Sequence, residues 1–217
     1  MSFTDYLLTR SDELTAEAIG QVVLVAAAVV LAALIGVLVG MATYRWTALN
    51  ATAIAIAGVF LTIPSLALLG LLIAPLGLGF QPALVALVMY GLLPIIRNTV
   101  VGLRGVDAPI VDSARGMGMS PTRVLIAVEL PLAWPVILTG IRVSTQILMG
   151  IAAVAAYVQG PGLGKQIFDG LANLGGVNSL NQVLVGTVGI VILALLFDLF
   201  YILIGRLTVS RGVRVAT

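Results

Sequence analysis

Long apolar runs, each stopped by charge, proline or glycine, dominate the pattern of this chain. Five stand out: Ala18 to Met41, Leu49 to Ile73, Ala83 to about Leu103, Trp134 to Tyr157, and Gln182 to Ile204. A helix rises about 1.5 Å per residue, so each run is long enough to cross a hydrocarbon core about 30 Å thick. The runs are continuous rather than alternating, which predicts helices and argues against barrel strands. The expected fold is all-α, a polytopic membrane protein with five transmembrane helices in a single domain over residues 1–217. Pro64 and Pro94 fall inside the second and third runs and should kink them unless neighbours satisfy the freed carbonyls.

One stretch breaks the pattern. Between Arg97 and Glu129 lie Arg97, Arg104, Asp107, Asp112, Arg115, Arg123 and Glu129, in a chain holding only 11 basic and nine acidic residues. Charge gathered into one loop between spans predicts a docking surface there. Asp107 is a good N-cap, with Ala108 and Pro109 in the first turn of a helix that runs to Arg115 and stops at Gly116-Met117-Gly118. Ser120 then caps a second helix with Pro121 at its first position. That helix should continue through Glu129 until Leu130-Pro131 redirects the chain toward the fourth span. Met117 and Met119 are adaptable apolar side chains of the kind that fill a groove on a partner protein.

Composition agrees with a membrane solvent: 60% of residues are hydrophobic, 9% are charged, and the mean hydropathy is +1.17. Soluble domains carry roughly 25% charged residues. The absence of cysteine and histidine excludes disulfides, thiolate nucleophiles, imidazole bases and the commonest zinc sites. A net charge of +2 implies no nucleic-acid surface. Asp5, Asp12, Glu13 and Glu17 against Arg10 make the first segment too acidic for a secretory signal, so the first span is expected to be retained.

The flanking arginines orient the bundle, because cytoplasmic loops carry the basic excess. With the N-terminus outside, Arg45, Arg97, Arg104, Arg115, Arg123, Arg206, Arg211 and Arg214 lie inside, and only Arg10 and Lys165 lie outside. The polar stretch and the tail from Arg206 then face the cytoplasm, and the loop from Gln159 to Asn181 faces out.

Asp112-Ser113-Ala114, Gly118 four residues after Ala114, then Val128, Leu130 and Pro131 together resemble the cytoplasmic signature of permease subunits in binding-protein-dependent ABC importers. That signature is written E-A-A, three residues, G, nine residues, I, one residue, L-P. The spacing is met throughout, with Asp for Glu, Ser for Ala and Val for Ile. The resemblance implies a type I importer fold with a cytoplasmic coupling loop over about residues 104–131. The helix from Asp107 to Arg115 would insert into a groove on a cytoplasmic ATPase. Asp112, Ser113, Ala114, Arg115, Gly116, Gly118, Leu130 and Pro131 would belong to that contact.

It further implies an ATPase dimer, a second permease subunit (identical or homologous), and an extracytoplasmic substrate-binding protein as partners. Mg-ATP would be bound by the ATPase subunits, and this chain would carry no cofactor, metal or catalytic residue. Gly160 to Gln166 fits that denial. No glycine stands five residues before Gly164, and Gln166 replaces the Ser or Thr of a phosphate-binding loop. Gly160, Gly162 and Gly164 are expected instead to form an external turn where a binding protein docks.

Arg142 and Asp198 lie within the fourth and fifth spans, where an unpaired charge costs at least a few kcal/mol. They are expected to pair, either in an internal gate or simply to order the bundle. The segments Glu129 to Arg142, Gly160 to Leu171 and Phe197 to Gly212 resemble the osmoprotectant branch of these importers, which carries glycine betaine, choline, carnitine or proline betaine. Amino-acid permeases of the methionine type share parts of the pattern. A cage for a quaternary ammonium needs several aromatic faces, and the second and third spans offer Phe60 and Tyr90. The cage is therefore expected on the binding protein. Two readings from other classes are an intramembrane enzyme, which would need paired carboxylates within a span, and a channel or scaffold active without an ATPase.

Overall fold

The structure, a computed structural model, describes residues 2–208. In chain order it forms α1 (Phe3–Thr9), α2 (Ser11–Thr43), α3 (Thr47–Thr62), α4 (Ser65–Leu76), α5 (Phe80–Arg104), α6 (Ala108–Gly116) and α7 (Pro121–Val124). A single π-turn (Leu125–Glu129) joins α7 to α8 (Leu130–Val154), and a 3₁₀ turn (Ala155–Val158) precedes α9 (Gly164–Ala172) and α10 (Ser179–Thr208). The described residues form no strand. Four helical stretches are long and apolar enough to span by themselves, and the pair α3–α4 makes a fifth crossing if taken as one broken span. Arg211, Arg214 and the end of the Phe197 to Gly212 segment lie outside the described residues.

α5 sits at the centre, packed between α2 and α8. Close approach there depends on glycine, because lipid supplies no hydrophobic drive and helices in membranes associate through tight packing. A Cβ on Gly40 would come within 2.6 Å of Thr99, and one on Gly140 within 2.6 Å of Asn98. The exposed faces of α2 and α10 are leucine-, valine- and isoleucine-rich, as a lipid-facing surface requires.

The second span is not one straight helix. α3 and α4 meet at 96°, with Ile63 extended at φ −69° and ψ 128°. The ring of Pro64 excludes a helical conformation from the residue before it, which accounts for the break. Tyr90 Oη donates to the Ile63 carbonyl at 2.6 Å and so satisfies a group the break would orphan. Pro94 produces no such break. α5 runs through it, and Ser144 Oγ donates to the Gly91 carbonyl at 3.0 Å, one residue beyond the carbonyl that Pro94 leaves without its helical donor.

The fourth span also departs from expectation. Leu130-Pro131 does not redirect the chain, since helix continues from Pro121 to Val154. The Leu130 amide reaches back five residues to the Leu125 carbonyl, and Pro131 follows at the first turn of α8. A π-turn is wider than an α-turn, so the proline ring enters next to a turn that is already open.

Candidate coupling surface

The polar loop folds into α6 and the short α7, as its capping residues suggest, with one correction. Asp107 occupies the N-cap position but its side chain makes no capping bond; its backbone carbonyl accepts from Ile110 N at 3.1 Å. Ser120 does cap α7, accepting from Arg123 N at 3.4 Å. The other end of α6 closes in a Schellman motif. Gly118 N donates to the Arg115 carbonyl at 2.9 Å, and Met119 N to the Ala114 carbonyl at 3.2 Å. Gly118 holds φ +83°, a conformation in which a Cβ is strained. Gly116 needs no such freedom, being the last residue of the helix with open space around it.

This cap explains the spacing of the signature residues. Val111 and Ala114 are buried on the inner face of α6 against Val124, with Val106, Met119 and Val128 packed around them. Ala114 is both the acceptor of the Met119 amide and its apolar neighbour, so a small side chain at that position lets the cap close. The outer face remains open. Asp112, Ser113, Arg115 and Gly116 are exposed there, beside Ile110 and Met117, which is 72% exposed. Arg115 Nη1 lies 3.6 Å from Asp112 Oδ1, an exposed pair worth less than about 1 kcal/mol. Ser113 Oγ turns back to the Pro109 carbonyl at 2.7 Å. Leu130 and Pro131 stand away from this face, in the first turn of α8, where Pro131 is exposed.

Directly behind α6 lies a group that sequence reasoning missed. Glu129 is buried at the end of the π-turn, and Tyr44 Oη donates to its Oε2 at 2.6 Å. Arg45 approaches the same oxygen at 3.5 Å, and Arg104 Nε donates to the Tyr44 carbonyl at 2.7 Å. The available signal was a lone carboxylate two residues before a proline, matched by Tyr44-Arg45 at the same end of the first span.

Within the spans, the structure pairs Arg142 with Asp198 in fork geometry, Nε to Oδ1 at 2.5 Å and Nη2 to Oδ2 at 2.7 Å. Gln146 donates to the same Oδ1 at 2.8 Å. The fork ties α8 to α10.

At the opposite end, Gly160, Gly162 and Gly164 do not form an exposed docking turn: all three are buried. A Cβ on Gly164 would lie 2.0 Å from the Ala153 carbonyl oxygen, and one on Gly162, at φ +141°, 2.1 Å from Gln21 Oε1. They are packing glycines that press the loop onto α2 and α8. The surface exposed beyond them is the stretch 171–177. A second missed cluster fastens this end. Tyr6 Oη donates to Gln166 Oε1 at 2.8 Å, Gln166 Nε2 to Glu17 Oε2 at 2.9 Å, and Lys165 Nζ lies 3.3 Å from Glu13 and 3.4 Å from Glu17. The Glu13 hydrogen bond holds the Lys165 ammonium above the usual lysine range.

A capped helix that exposes Ile110 and Met117 among polar residues thus lies at the end of the bundle opposite this cluster. The family model described as "Binding-protein-dependent transport system inner membrane component" matches residues 32–209. The chain belongs to that family. The permease is 40% identical over 193 residues to the choline transport system permease protein OpuBB of Bacillus subtilis, covering 89% of this chain and 87% of the relative. It is 37% identical to the glycine betaine/carnitine/choline transport system permease protein OpuCB of the same organism, over 86% of this chain and 84% of that one. It is 39% identical to the carnitine transport permease protein OpuCB of Listeria monocytogenes, over 79% and 77%. Among solved structures, inward-facing forms of the MetNI methionine ABC transporter superpose with TM-scores of 0.77 and 0.79 at 22% and 23% identity. These cover 97% and 91% of this chain and 100% and 96% of theirs, a likeness of fold.

Proposed function

We propose that the permease forms the alternating-access pathway of an ATP-driven importer for a small osmoprotectant such as choline, glycine betaine, carnitine or proline betaine. α6 carries this reading: a short helix clamped at Ala114 and Gly118 holds Ile110 and Met117 out of the bundle, where a groove on an ATPase subunit can take them. The curated relatives named for choline and carnitine transport support the substrate class. The methionine reading rests on a likeness of fold at 22% identity and draws no support for its substrate from it.

In this cycle, two ATPase subunits closing on Mg-ATP draw together the α6 helices of two permease subunits, and the spans rock between inward-open and outward-open packings. ATP hydrolysis belongs to the ATPase, and this chain supplies motion and passage. α6 faces the cytoplasm and the chain's N-terminus faces out, as the arginine asymmetry requires. An extracytoplasmic binding protein delivers cargo at the end that carries the exposed stretch 171–177. Recognition of the quaternary ammonium lies on that protein. Tyr90 is buried with its hydroxyl committed to Ile63, so it cannot serve as a free wall of an aromatic cage.

The deciding experiment reconstitutes the permease in liposomes with its ATPase and binding protein. Labelled glycine betaine and choline are supplied, with methionine as competitor. Native complex should take up betaine or choline in an ATP-dependent manner that methionine does not inhibit. A variant with Asp112 reversed in charge and Gly116 and Gly118 replaced should lose the ATPase or its stimulation. No ATPase association, or ATP-independent passage through the isolated chain, would overturn the importer reading in favour of a channel.

A further inference from the structure

Glu129 is the one charged side chain buried among the described residues, at 5% exposure, and the transport cycle described above makes no use of it. A carboxylate removed from water loses several kcal/mol of hydration unless partners replace it. Tyr44 and Arg45 replace it here. Tyr44 Oη donates to Oε2 at 2.6 Å, Arg45 Nη2 lies 3.5 Å from that oxygen, and Arg45 Nε donates to the same Tyr44 hydroxyl at 2.6 Å. The Arg45 guanidinium also lies 5.1 Å from the centre of the Tyr44 ring, and Arg104 Nε holds the Tyr44 carbonyl at 2.7 Å. Three chain segments thus meet in one cluster: the residues just after α2 and the π-turn at the buried Glu129 oxygen, and the end of α5 at the Tyr44 carbonyl. A cavity of about 370 Å³ joins this cluster to α6 through Val111, Asp112 and Arg115.

Movement of α6 reaches α5 through the three residues that join them, and reaches α8 through the unbroken helix from Pro121. α2 has no such covalent route, since its C-terminal end leads away into α3. We infer that Glu129, Tyr44 and Arg45 form a second joint of the coupling machinery, positioning residues that make α2 move as one body with α6 when the ATPase displaces it. The π-turn is part of the device. Rewinding it to an α-turn would rotate Glu129 by about 100° relative to α8 and aim it away from Tyr44. This inference rests on the importer reading, and its test separates the two.

The chain has no cysteine, so pairs can be introduced without background. Spin labels at Ala42→Cys, on the exposed last turn of α2, and Ala108→Cys, at the exposed start of α6, report whether the two helices keep a fixed distance. The measurement is made on the complex with its ATPase, with and without trapped ATP. The native joint should give one narrow distance in both states. Tyr44→Phe, which deletes the hydroxyl shared by Glu129 and Arg45, should broaden or shift it. In liposomes Tyr44→Phe should still recruit the ATPase and hydrolyse ATP, because Ile110 and Met117 are untouched, yet glycine betaine taken up per ATP should fall severalfold. Glu129→Gln keeps an acceptor for Tyr44 and should fall less.

A merely structural cluster would lower the amount of complex and leave uptake per ATP unchanged, and that result overturns the joint. So does a labelled distance that Tyr44→Phe leaves alone. If native complex takes up neither betaine nor choline, the osmoprotectant reading fails while the spin-label distance on the ATPase complex still decides the joint.

Discussion

At the scale of single residues, Gly116 and Gly118 look alike in sequence and differ in physics. Gly118 sits in a left-handed conformation that costs an L-residue about 1–2 kcal/mol, whereas Gly116 lies in a helix where alanine is the better former. Gly118→Ala should therefore weaken ATPase binding and raise protease sensitivity of the loop, while Gly116→Ala leaves both unchanged or improved. Pull-down with the ATPase and limited proteolysis of the two variants would check this, and equal behaviour would remove the Schellman cap from the account. Lys165 offers a second test at this scale. Its pKa is raised above 10.5 by Glu13, so the stability it contributes is fully present below that value and is lost as pH rises through the folded-state pKa. Melting temperatures of Lys165→Met and native permease should differ at pH 8 and converge in strong alkali, by a modest amount given the exposure of the side chain.

At the scale of elements, three prolines show how far the sequence could be read. Apolar run length located four long apolar helices and the bent pair α3–α4, because burying a backbone in lipid leaves few alternatives to a helix. The behaviour of Pro64, Pro94 and Pro131 was not legible, because it depends on what stands opposite the freed carbonyl. Tyr90 supports a full break at Pro64, Ser144 lies beside an unbroken helix at Pro94, and a π-turn absorbs Pro131. The signature spacing located α6, since capping chemistry is local. The Tyr44–Glu129 cluster stayed hidden because its members are 85 residues apart and no local rule brings them together. The Arg142–Asp198 fork is a contact of the same long-range kind, 56 residues apart, which became predictable only because charges are so costly within spans. Reversing either residue alone should reduce the amount of folded permease, and the charge-swapped double variant should recover part of it. Contacting pairs of this kind show coupling of about 0.5–3 kcal/mol in such cycles. A double variant no more stable than the worse single one would show that the fork contributes no specific pairing.

At the scale of the whole molecule, the fold is polarised end to end. One end gathers Arg45, Arg97, Arg104, Arg115, Arg123 and α6; the other is fastened by Glu13, Glu17 and Lys165 around α9, with Tyr6 and Gln166 beneath. Positive residues resist translocation during insertion, so this asymmetry predicts which end stays inside, and the proposed transport function calls for the same sidedness because ATP is cytoplasmic. The two requirements are independent and can be set against each other in one experiment. Single cysteines at Ser113, on α6, and at Asn173, in the exposed stretch after α9, enter a background that has none. In intact cells with a permeable outer envelope, an impermeant maleimide should label Asn173→Cys and spare Ser113→Cys; in inverted membrane vesicles the pattern should reverse. Labelling of Ser113→Cys from outside would place α6 where no ATPase can reach it. That result would end the coupling account, including the Tyr44–Glu129 joint's role in it, while leaving the fold as described.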